Sequence, residues 1–367
     1  MPVLEKIVVK DFRNITLQEL EFSPNVNCIS GDNGEGKTNL LDAVWYLSMT
    51  KGAFSPNDRF NYRHGCKSFS IGGSYRMENG TVSRFAVQVR EDGKKLLRDQ
   101  KAYSKISDHI GVLPVVMVSP ADISLVSEGG EDRRRFVNAV LSQMDREYLS
   151  WMQRYNQLLA TRNMALKDEN TEESLLEVLD SRLEEYADHI HDARSRFVKD
   201  LEPAVQEYYR MLSSDSEKVG MEYRSDLEKG SLKELLKHSR ERDRILKYTS
   251  VGIQKDDFVF TMDGHPIRKC GSQGQQKSFL VSLKFAQYEI MKNKCGCPPI
   301  LLLDDLFDKL DINRVGNLLK MVAGSDFGQI FISDSNKVRT RALLDDITSE
   351  RSYYEAAGGA FTGNEQG

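Results

Sequence analysis

Two spacings of hydrophobic positions alternate along this chain and predict a mixed α/β protein. Short apolar runs have the length of buried strands, at residues 26–30, 114–118, 257–262, 299–303 and 329–333. Behind the first run, Leu40, Leu41, Val44 and Leu47 recur at helical spacing, which predicts a helix. Strands that alternate with helices favour a parallel sheet with helices on its faces.

The pattern changes in the middle of the chain. Residues 3–22 and 67–98 alternate as strands of hairpins do, whereas residues 131–247 show helical periodicity with alternating charge. Pro203 should break or open one of these helices. Further helices are expected at residues 273–291 and 312–322. The middle region therefore predicts a compact helical subdomain inserted into an α/β domain.

These changes set the expected domain boundaries. Residues 1–120 and 250–357 should form the two halves of the α/β domain, and residues 121–249 the inserted subdomain. Glycines recur near the end of the chain, so residues 358–367 are expected to be a disordered tail.

Composition narrows the class of protein. The chain has 367 residues, 40% hydrophobic and 29% charged, as in ordinary soluble proteins. No apolar run approaches the roughly 18 residues of a membrane helix. Five cysteines at scattered spacings favour a reducing cytoplasm. The net charge of −4 means that any DNA binding must come from a local patch or from assembly.

The strongest chemical signal is the octapeptide GDNGEGKT at residues 31–38, which fits the phosphate-binding pattern G-x-x-x-x-G-K-[ST]. It joins the first buried strand to the helix behind it. Glycines let the backbone N–H groups turn inward around phosphate, and the helix N-terminus adds further donors. The candidate nucleotide-binding residues are Gly31, Asp32, Asn33, Gly34, Glu35, Gly36, Lys37 and Thr38.

Two carboxylates supply the second half of this site. Asp304 and Asp305 follow the apolar run at residues 299–303, as in a Walker B strand. Lys37 can reach the β- and γ-phosphates, and Thr38 and Asp304 are the candidate Mg²⁺ ligands. Asp305 then stands where a general base orients the attacking water. Asp305 and Lys37 are therefore candidate catalytic residues.

A glycine-serine turn provides a further candidate site. Residues 271–276 read GSQGQQ, in which a Gly-Ser turn leads into the helix predicted at 273–291, so the turn offers a second anion site. Two phosphate-binding helix starts and one nucleotide suggest that two subunits face each other, with Ser272 of each subunit at the other's nucleotide. Ser272 is equally suited to be a helix N-cap, and the two roles are compatible.

Six segments together resemble the RecF family of DNA repair proteins, which are ABC-type ATPases of the SMC kind. They read FRN, GDNGEGKTNLLDAV, SPADISLV, RRRF, GSQGQQKS and LLLDDLFDKLD, and the resemblance covers most of the chain. It implies an α/β fold, an ABC-type P-loop ATPase head with an inserted mainly helical subdomain.

The resemblance also implies function. RecF-like proteins bind ATP with Mg²⁺, dimerise around ATP and hydrolyse it slowly as weak, DNA-stimulated ATPases. They bind duplex and gapped DNA in the cytoplasm, without a membrane, and with RecR-like and RecO-like mediators they assist loading of recombinase. Ser272 would contact the γ-phosphate in trans as a catalytic residue. By motif, the nucleotide-binding set extends to Arg13, Ser272, Gln273, Gly274, Gln275 and Asp311.

The chain departs from the family pattern at two positions. Asp305 stands where many relatives have Glu, and its shorter side chain would fit slow turnover. Ser333 and Asp334 fall where related ATPases place a switch residue, which is often His, so that role is open here.

Of three basic clusters, the first two are candidates for DNA contacts. Residues 133–135 (RRR) begin a predicted helix, where phosphate or the preceding acids would offset their charge. A second cluster, Lys94, Lys95, Arg98, Lys101 and Lys105, is expected on a loop. Arg240, Arg242 and Arg244 alternate with acids, as on a solvated helix face.

Three other functions share parts of this pattern. A transporter nucleotide subunit shares the signature logic, but the helical insertion, the SQGQQ variant and the FRN segment speak against it. A small-molecule kinase would need an acceptor pocket and no signature motif. A non-enzymatic scaffold would use ATP only to lock a dimer. Nucleotide-dependent dimerisation, stimulation by duplex DNA and phosphate release separate these alternatives from an ATP-gated DNA-binding ATPase.

Overall fold

The computed structural model describes residues 1–55, 57–213, 217–305, 327–336, 341 and 350–364. The chain forms two units: unit 1 comprises Met1–Asp122 and Gln287–Gly367, and unit 2 comprises Ile123–Ala286. The helix expected at residues 312–322 lies outside the described residues.

Strands and helices are numbered along the whole chain. Unit 1 contains β1 (Val3–Phe12), β2 (Ile15–Glu21), β3 (Val26–Ser30), α1 (Lys37–Met49), β4 (Ser68–Arg76), β5 (Val82–Arg90), β6 (Gly93–Arg98), β7 (Lys101–Ala102), β8 (Val115–Val118), β12 (Ile300–Leu303), β13 (Ile330–Asp334), β14 (Arg351–Ala357) and β15 (Ala360–Asn364). Unit 2 contains α2 (Ser124–Ser127), α3 (Gly130–Met144), α4 (Arg146–Ala165), α5 (Glu173–Leu212), β9 (Val219–Arg224), α6 (Leu232–Leu246), β10 (Asp257–Met262), β11 (His265–Pro266) and α7 (Ile267–Cys270). Helix α8 (Gln273–Cys295) includes residues of both.

A mainly parallel sheet forms the core of unit 1. Its strand order is β15-β14-β3-β13-β12-β8, and only β15 runs antiparallel to its neighbour. Every residue of β3, β12 and β8 is buried, which explains their continuous apolar runs. The pairings Asp334 with Ser30 and Leu303 with Ile332 bring the carboxyl ends of β3, β13 and β12 to one edge.

A second, antiparallel sheet completes unit 1, in the order β2-β1-β4-β5-β6-β7. Its strands alternate buried and exposed positions, as the sequence predicted for these segments. Phe12, Tyr46 and Phe69 pack edge to face with ring centroids 5.1–6.0 Å apart. This contact attaches helix α1, which carries Tyr46, to the antiparallel sheet.

The C-terminal strands correct the expectation of a disordered tail at residues 358–367. Strands β14 and β15 form a hairpin whose last pair is Ala357 with Ala360. Gly358 and Gly359 lie between them at φ +58° and +81°, the two positive values of a type I′ turn. Buried Tyr354 and Phe361 hold the hairpin on the core. The glycines therefore mark a tight turn, and the chain is ordered at least to residue 364.

Unit 2 combines helices α2–α7 with a small antiparallel sheet, β11-β10-β9. Strand β10 pairs with β9, for example Phe260 with Met221, so residues 257–262 belong to this unit. The second boundary therefore lies at residues 286/287, and the α/β domain does not resume at residue 250 as expected. Among the described helices, none has both the length and the hydrophobicity of a bilayer-spanning segment.

Helix α5 corrects a second expectation. It runs unbroken from Glu173 to Leu212, with Pro203 inside it. Pro203 is on the exposed face, whereas Leu201 and Val205 on either side are fully buried. Proline removes one backbone donor, but the packing of its neighbours keeps the helix continuous.

A buried ionic network joins three helices of unit 2. Arg162 on α4 is fully buried; its guanidinium lies 2.6 Å from Asp180 on α5 and 2.8 Å from Asp243 on α6. Arg240 lies 2.7 Å from the second oxygen of Asp180 and is only 9% exposed. The expected solvated face around Arg240 is therefore wrong for this residue, because carboxylates on α5 take it into the interior.

Removing the shared carboxylate of this network should destabilise the protein strongly. We expect Asp180→Ala to lower the free energy of unfolding by about 3–5 kcal/mol, because Arg162 and Arg240 would stay buried without it. Asp226, whose exposed partner is Lys229, offers a control: Asp226→Ala should cost about 1 kcal/mol or less. Urea unfolding followed by circular dichroism measures both changes. Equal destabilisation of the two variants would contradict a structural role for the network.

Candidate nucleotide-binding site

The glycine-rich loop at residues 31–38 leads from the end of β3 into α1, whose first two residues are Lys37 and Thr38, as predicted. Gly31 and Gly36 have φ values of +155° and +106°. A Cβ at Gly31 would lie 2.6 Å from the Ala356 carbonyl oxygen, and one at Gly36 would lie 2.6 Å from Nδ2 of Asn14. Both positions thus require glycine for conformation and for space.

The Lys37 ammonium lies over this loop. It donates hydrogen bonds to the carbonyl oxygens of Gly31 at 2.8 Å and Asp32 at 3.1 Å. It also lies 3.9 Å from Oδ1 of Asp305, and the side chain is only 4% exposed. Two carbonyl groups of the loop therefore bind the Lys37 ammonium, and an incoming phosphate would compete with them for this group.

Asp304 lies at the centre of the site. Both of its carboxylate oxygens are 2.9 Å from the Thr38 hydroxyl, and the Ser333 hydroxyl donates to Oδ1 at 2.7 Å. Burial raises the pKa of the Asp304 carboxyl, and the hydrogen bonds from Ser333 and Thr38 act in the opposite direction. The structure thus brings together the two candidate metal ligands, Thr38 and Asp304.

Asp305 is placed by the neighbouring strand. Its backbone N–H donates to the Ser333 hydroxyl at 2.9 Å, and its φ is +40°. This left-handed conformation is uncommon for residues other than glycine and is found at functional sites. The side chain remains 28% exposed, so the carboxylate is accessible beside Lys37.

Ser333 is the site residue whose role the sequence left open. It contacts Asp304 through its hydroxyl and Asp305 through that residue's backbone, so it positions both. The available signal was its place at the carboxyl end of a strand, since such ends meet at one sheet edge in parallel folds. Asp334 accepts a hydrogen bond from the Asn336 N–H at 2.9 Å and is buried.

The FRN segment comprises the last residue of β1, Phe12, and the turn between β1 and β2 beside the loop, Arg13 and Asn14. Arg13 lies 2.6 Å from the buried Asp42 on α1 and donates to Oδ1 of Asn61 at 3.2 Å. Burial raises the pKa of Asp42, and the charge of Arg13 acts in the opposite direction. Arg13 is thus held against the helix that follows the loop, and nucleotide contact by Arg13 stays a prediction.

The Ser272 turn precedes α8 and belongs to unit 2. The Ser272 hydroxyl accepts from the Gln275 N–H at 3.3 Å, and the Gln275 side-chain oxygen accepts from the Ser272 N–H at 2.7 Å. This reciprocal pair is a capping box, so the N-cap role of Ser272 is confirmed. Ser272, Gln273 and Gly274 are exposed, as binding to a second subunit would require.

The remaining predicted residues fall into two groups. Asp32, Asn33 and Gly34 are exposed on the rim of the loop, and Glu35 is half-buried. Asp311 lies outside the described residues. The nucleotide contacts of all these residues stay predictions.

Some residues of the basic clusters form ion pairs or hydrogen bonds within the protein, which leaves fewer of them available for DNA. Arg133 is buried with its guanidinium 2.9 Å from Asp257, and Arg134 donates to the Asp256 carbonyl at 2.7 Å. Lys94 lies 2.8 Å from Asp58. The second cluster is not on a loop as expected, because β6 carries Lys94, Lys95 and Arg98, and β7 carries Lys101. Its exposed members are Lys95, Arg98, Lys101 and Lys105, and Arg98 lies 3.9 Å from Asp99. We call the three exposed lysines, Lys95, Lys101 and Lys105, the lysine patch.

Comparison with known proteins gives one consistent result. A family model described as an AAA domain matches residues 6–246. The DNA replication and repair protein RecF of Phocaeicola vulgatus is 42% identical over 363 residues, covering 98% of each chain. RecF of Parabacteroides distasonis is 44% identical over 345 residues, covering 94% of this chain and 93% of that protein.

Solved structures agree with these relatives. The recombination mediator protein RecF in the RecFOR pathway, described as RecF-ATPrS and RecF-ATP, gives TM-scores of 0.89 and 0.90 at 28% identity over 99% of this chain and 98% of those chains. The Smc head domain from Pyrococcus furiosus gives a TM-score of 0.57 at 15% identity over 99% of this chain and 96% of that one, which supports the fold alone. The expected fold class, an α/β ABC-type head, is confirmed.

Proposed function

The chain belongs to the RecF family of DNA replication and repair proteins, and from this premise we propose that it is a slow ATPase that acts on DNA. Membership sets aside the transporter and kinase alternatives. The observation that carries the proposal is that Lys37 and Thr38 of the glycine-rich loop lie beside Asp304 and Asp305 at one sheet edge. Solved RecF structures described with ATP and ATPrS support ATP as the ligand.

Binding of the triphosphate follows from the loop. Its backbone N–H groups and the N-terminus of α1 attract phosphate oxygens. Lys37 would exchange its two carbonyl partners, at 2.8 and 3.1 Å, for the β- and γ-phosphates. A charge-assisted bond to phosphate is roughly twice as strong as a neutral one, which favours the exchange.

The donor set also fits Mg²⁺. The Thr38 hydroxyl and the Asp304 carboxylate are hard oxygen ligands, already 2.9 Å apart, and P-loop sites complete the shell with phosphate and water. When bound, Mg²⁺ would neutralise charge on the β- and γ-phosphates. Thr38 and Asp304 would hold it.

Hydrolysis would use Asp305. Its partly exposed carboxylate, 3.9 Å from Lys37, can orient a water toward the γ-phosphate and accept its proton. Ser333 fixes the backbone of Asp305 and the carboxylate of Asp304 together. The short Asp side chain holds this water less closely than Glu would, in keeping with slow turnover.

Two copies would complete the site. The exposed Ser272 turn at the start of α8 would contact the γ-phosphate bound to the second protomer, so ATP would join the dimer. Gln273, Gly274 and Gln275 follow Ser272 as the first residues of α8, and Asp311 would lie at the seam. Dimers of this kind would bind duplex and gapped DNA in the cytoplasm. With RecR-like and RecO-like proteins, they would assist loading of recombinase onto single-stranded gaps.

Phosphate release tests the proposal directly. The purified protein with ATP and Mg²⁺ should release phosphate slowly, and duplex DNA should increase the rate. Lys37→Met should abolish the release in both conditions. Tight ATP binding without any release would instead support a scaffold in which the nucleotide only locks the dimer, and would overturn the enzymatic part.

DNA binding through the lysine patch should depend steeply on salt. Replacing Lys95, Lys101 and Lys105 together by Ala should weaken duplex binding and reduce the slope of log affinity against log salt by up to about 0.9 for each phosphate that a lysine no longer neutralises. Fluorescence anisotropy across a salt series measures both. Lys67→Ala provides the control, because Lys67 is exposed but lies beside Glu91. An unchanged slope in the triple variant would show that the DNA site does not include the lysine patch.

A further inference from the structure

Two turns of unit 1 meet on one peptide of the glycine-rich loop, the peptide that joins Glu35 to Gly36. The Gly359 N–H, in the turn between β14 and β15, donates to the Glu35 carbonyl oxygen at 2.9 Å. Nδ2 of Asn14, in the turn between β1 and β2, donates to the same oxygen at 3.3 Å. This carbonyl is therefore held from two elements distant in sequence.

The hairpin tip is suited to this contact. In a two-residue hairpin the N–H groups of the two central residues take no part in the ladder, so they project from the turn. Here both N–H groups donate to Glu35: the Gly359 N–H donates to its backbone carbonyl oxygen, and the Gly358 N–H donates to its carboxylate oxygen Oε2. The end of the chain thus binds one loop residue through two donors.

The contact between the Gly358–Gly359 turn and Asn14 is closely packed. A Cβ added at Gly359 would lie 2.4 Å from the Asn14 carbonyl oxygen. The Asn14 side chain in turn accepts from Nδ2 of Asn39 on α1 at 2.8 Å, which attaches the turn to the helix behind the loop. The two turns, the loop and α1 therefore form one close-packed cluster.

Peptide geometry gives this cluster a role. In a trans peptide the C=O and the following N–H point in opposite directions, so fixing the Glu35 carbonyl fixes the direction of the Gly36 N–H. We infer that Asn14 and the Gly358–Gly359 turn are positioning elements for phosphate binding, which hold the Glu35 carbonyl outward and aim the Gly36 N–H at the triphosphate. The inference rests on the proposed function, because it assigns these residues a part in binding ATP.

Gly359→Ala tests the inference against a matched control. Gly80, at φ +79° in the turn between β4 and β5, has no atom within 4 Å of an added Cβ, so Gly80→Ala brings the same backbone strain without the clash. We expect Gly359→Ala to weaken ATP binding about tenfold, the equivalent of about 1.4 kcal/mol, and Gly80→Ala to leave it unchanged. Titration calorimetry gives the ATP Kd, and thermal unfolding without nucleotide shows whether the two variants are equally destabilised.

Asn14→Ala provides a second variant should Gly359→Ala fail to fold. It should raise the ATP Kd several-fold while hydrolysis at saturating ATP is unchanged, since the residue positions the loop and touches no reacting atom. The double variant should lose less affinity than the product of the two single changes, because both act on one carbonyl. If Gly359→Ala and Asn14→Ala bind ATP as tightly as the Gly80→Ala control, the inference is overturned and the proposed function is not. A wild-type protein without ATP affinity would overturn the proposed function itself.

Discussion

The Asp305→Asn variant is expected to bind ATP and to dimerise like the wild type, but to lose hydrolysis by about 10²–10⁴-fold, the usual contribution of a positioned general base. Asparagine has the shape of aspartate and tolerates the left-handed conformation that residue 305 adopts at φ +40°. The change therefore removes the proton acceptor without straining the backbone. Loss of a negative charge 3.9 Å from Lys37 also favours retention of the triphosphate.

Single-turnover phosphate release and ATP-dependent sedimentation measure the two halves of this prediction. Asp92→Asn is the control, because Asp92 is exposed in the turn between β5 and β6 and the substitution removes the same charge away from the site. It should leave both measurements unchanged. Turnover of Asp305→Asn at the wild-type rate would remove Asp305 as the base, and failure to bind ATP would give it a role in binding instead.

The parts of the site that are local in sequence could be predicted from sequence. The strand, the glycine-rich loop and α1 follow one another within about 25 residues, so periodicity and motif spacing place Lys37 and Thr38 without knowledge of the rest of the fold. Asp304 and Asp305 follow from the end of a buried strand. To predict that these two pairs of residues lie together required a further expectation, that the strands are parallel and share an edge.

The parts that depend on distant register could not be predicted in the same way. Ser333 contacts Asp304 because β12 and β13 are parallel neighbours in one register, which no local pattern encodes. The contact of Gly359 with Glu35 links residues more than 300 positions apart. Glycines near a chain end suggest disorder, although two consecutive glycines between alternating residues also indicate a type I′ turn.

Charge patterns are ambiguous about burial. The alternation around Arg240 is typical of a solvated face, yet Asp180 on another helix draws Arg240 inside. Arg133 similarly resembles a DNA contact by sequence, and its partner Asp257 lies 124 residues away. Tertiary partners, invisible in a local window, decide whether such a guanidinium is a structural ion pair or a free cation.

The second prediction concerns two defective subunits that together restore one site. Lys37→Met alone and Ser272→Arg alone should each fail to form ATP-dependent dimers, because every pocket of each homodimer lacks one half. A mixture of the two variants should regain dimers with one intact pocket, made by the loop of the Ser272→Arg protomer and the Ser272 turn of the Lys37→Met protomer. Differently tagged protomers, pulled down through one tag with and without ATP, detect these heterodimers.

A reversed combination provides the control. When the wild type is mixed with the double variant Lys37→Met/Ser272→Arg, a heterodimer carries the same four residues at these positions. If each pocket combines Lys37 of one protomer with Ser272 of the other, both pockets of this heterodimer are defective. If each nucleotide is bound in trans, the mixture of single variants should give ATP-dependent heterodimers and the reversed mixture should not. If Ser272 serves the nucleotide of its own chain, the result should invert, since only the wild-type protomer would then hold a complete site. The confirmed capping-box role of Ser272 is common to both cases, so the comparison isolates the contact between subunits.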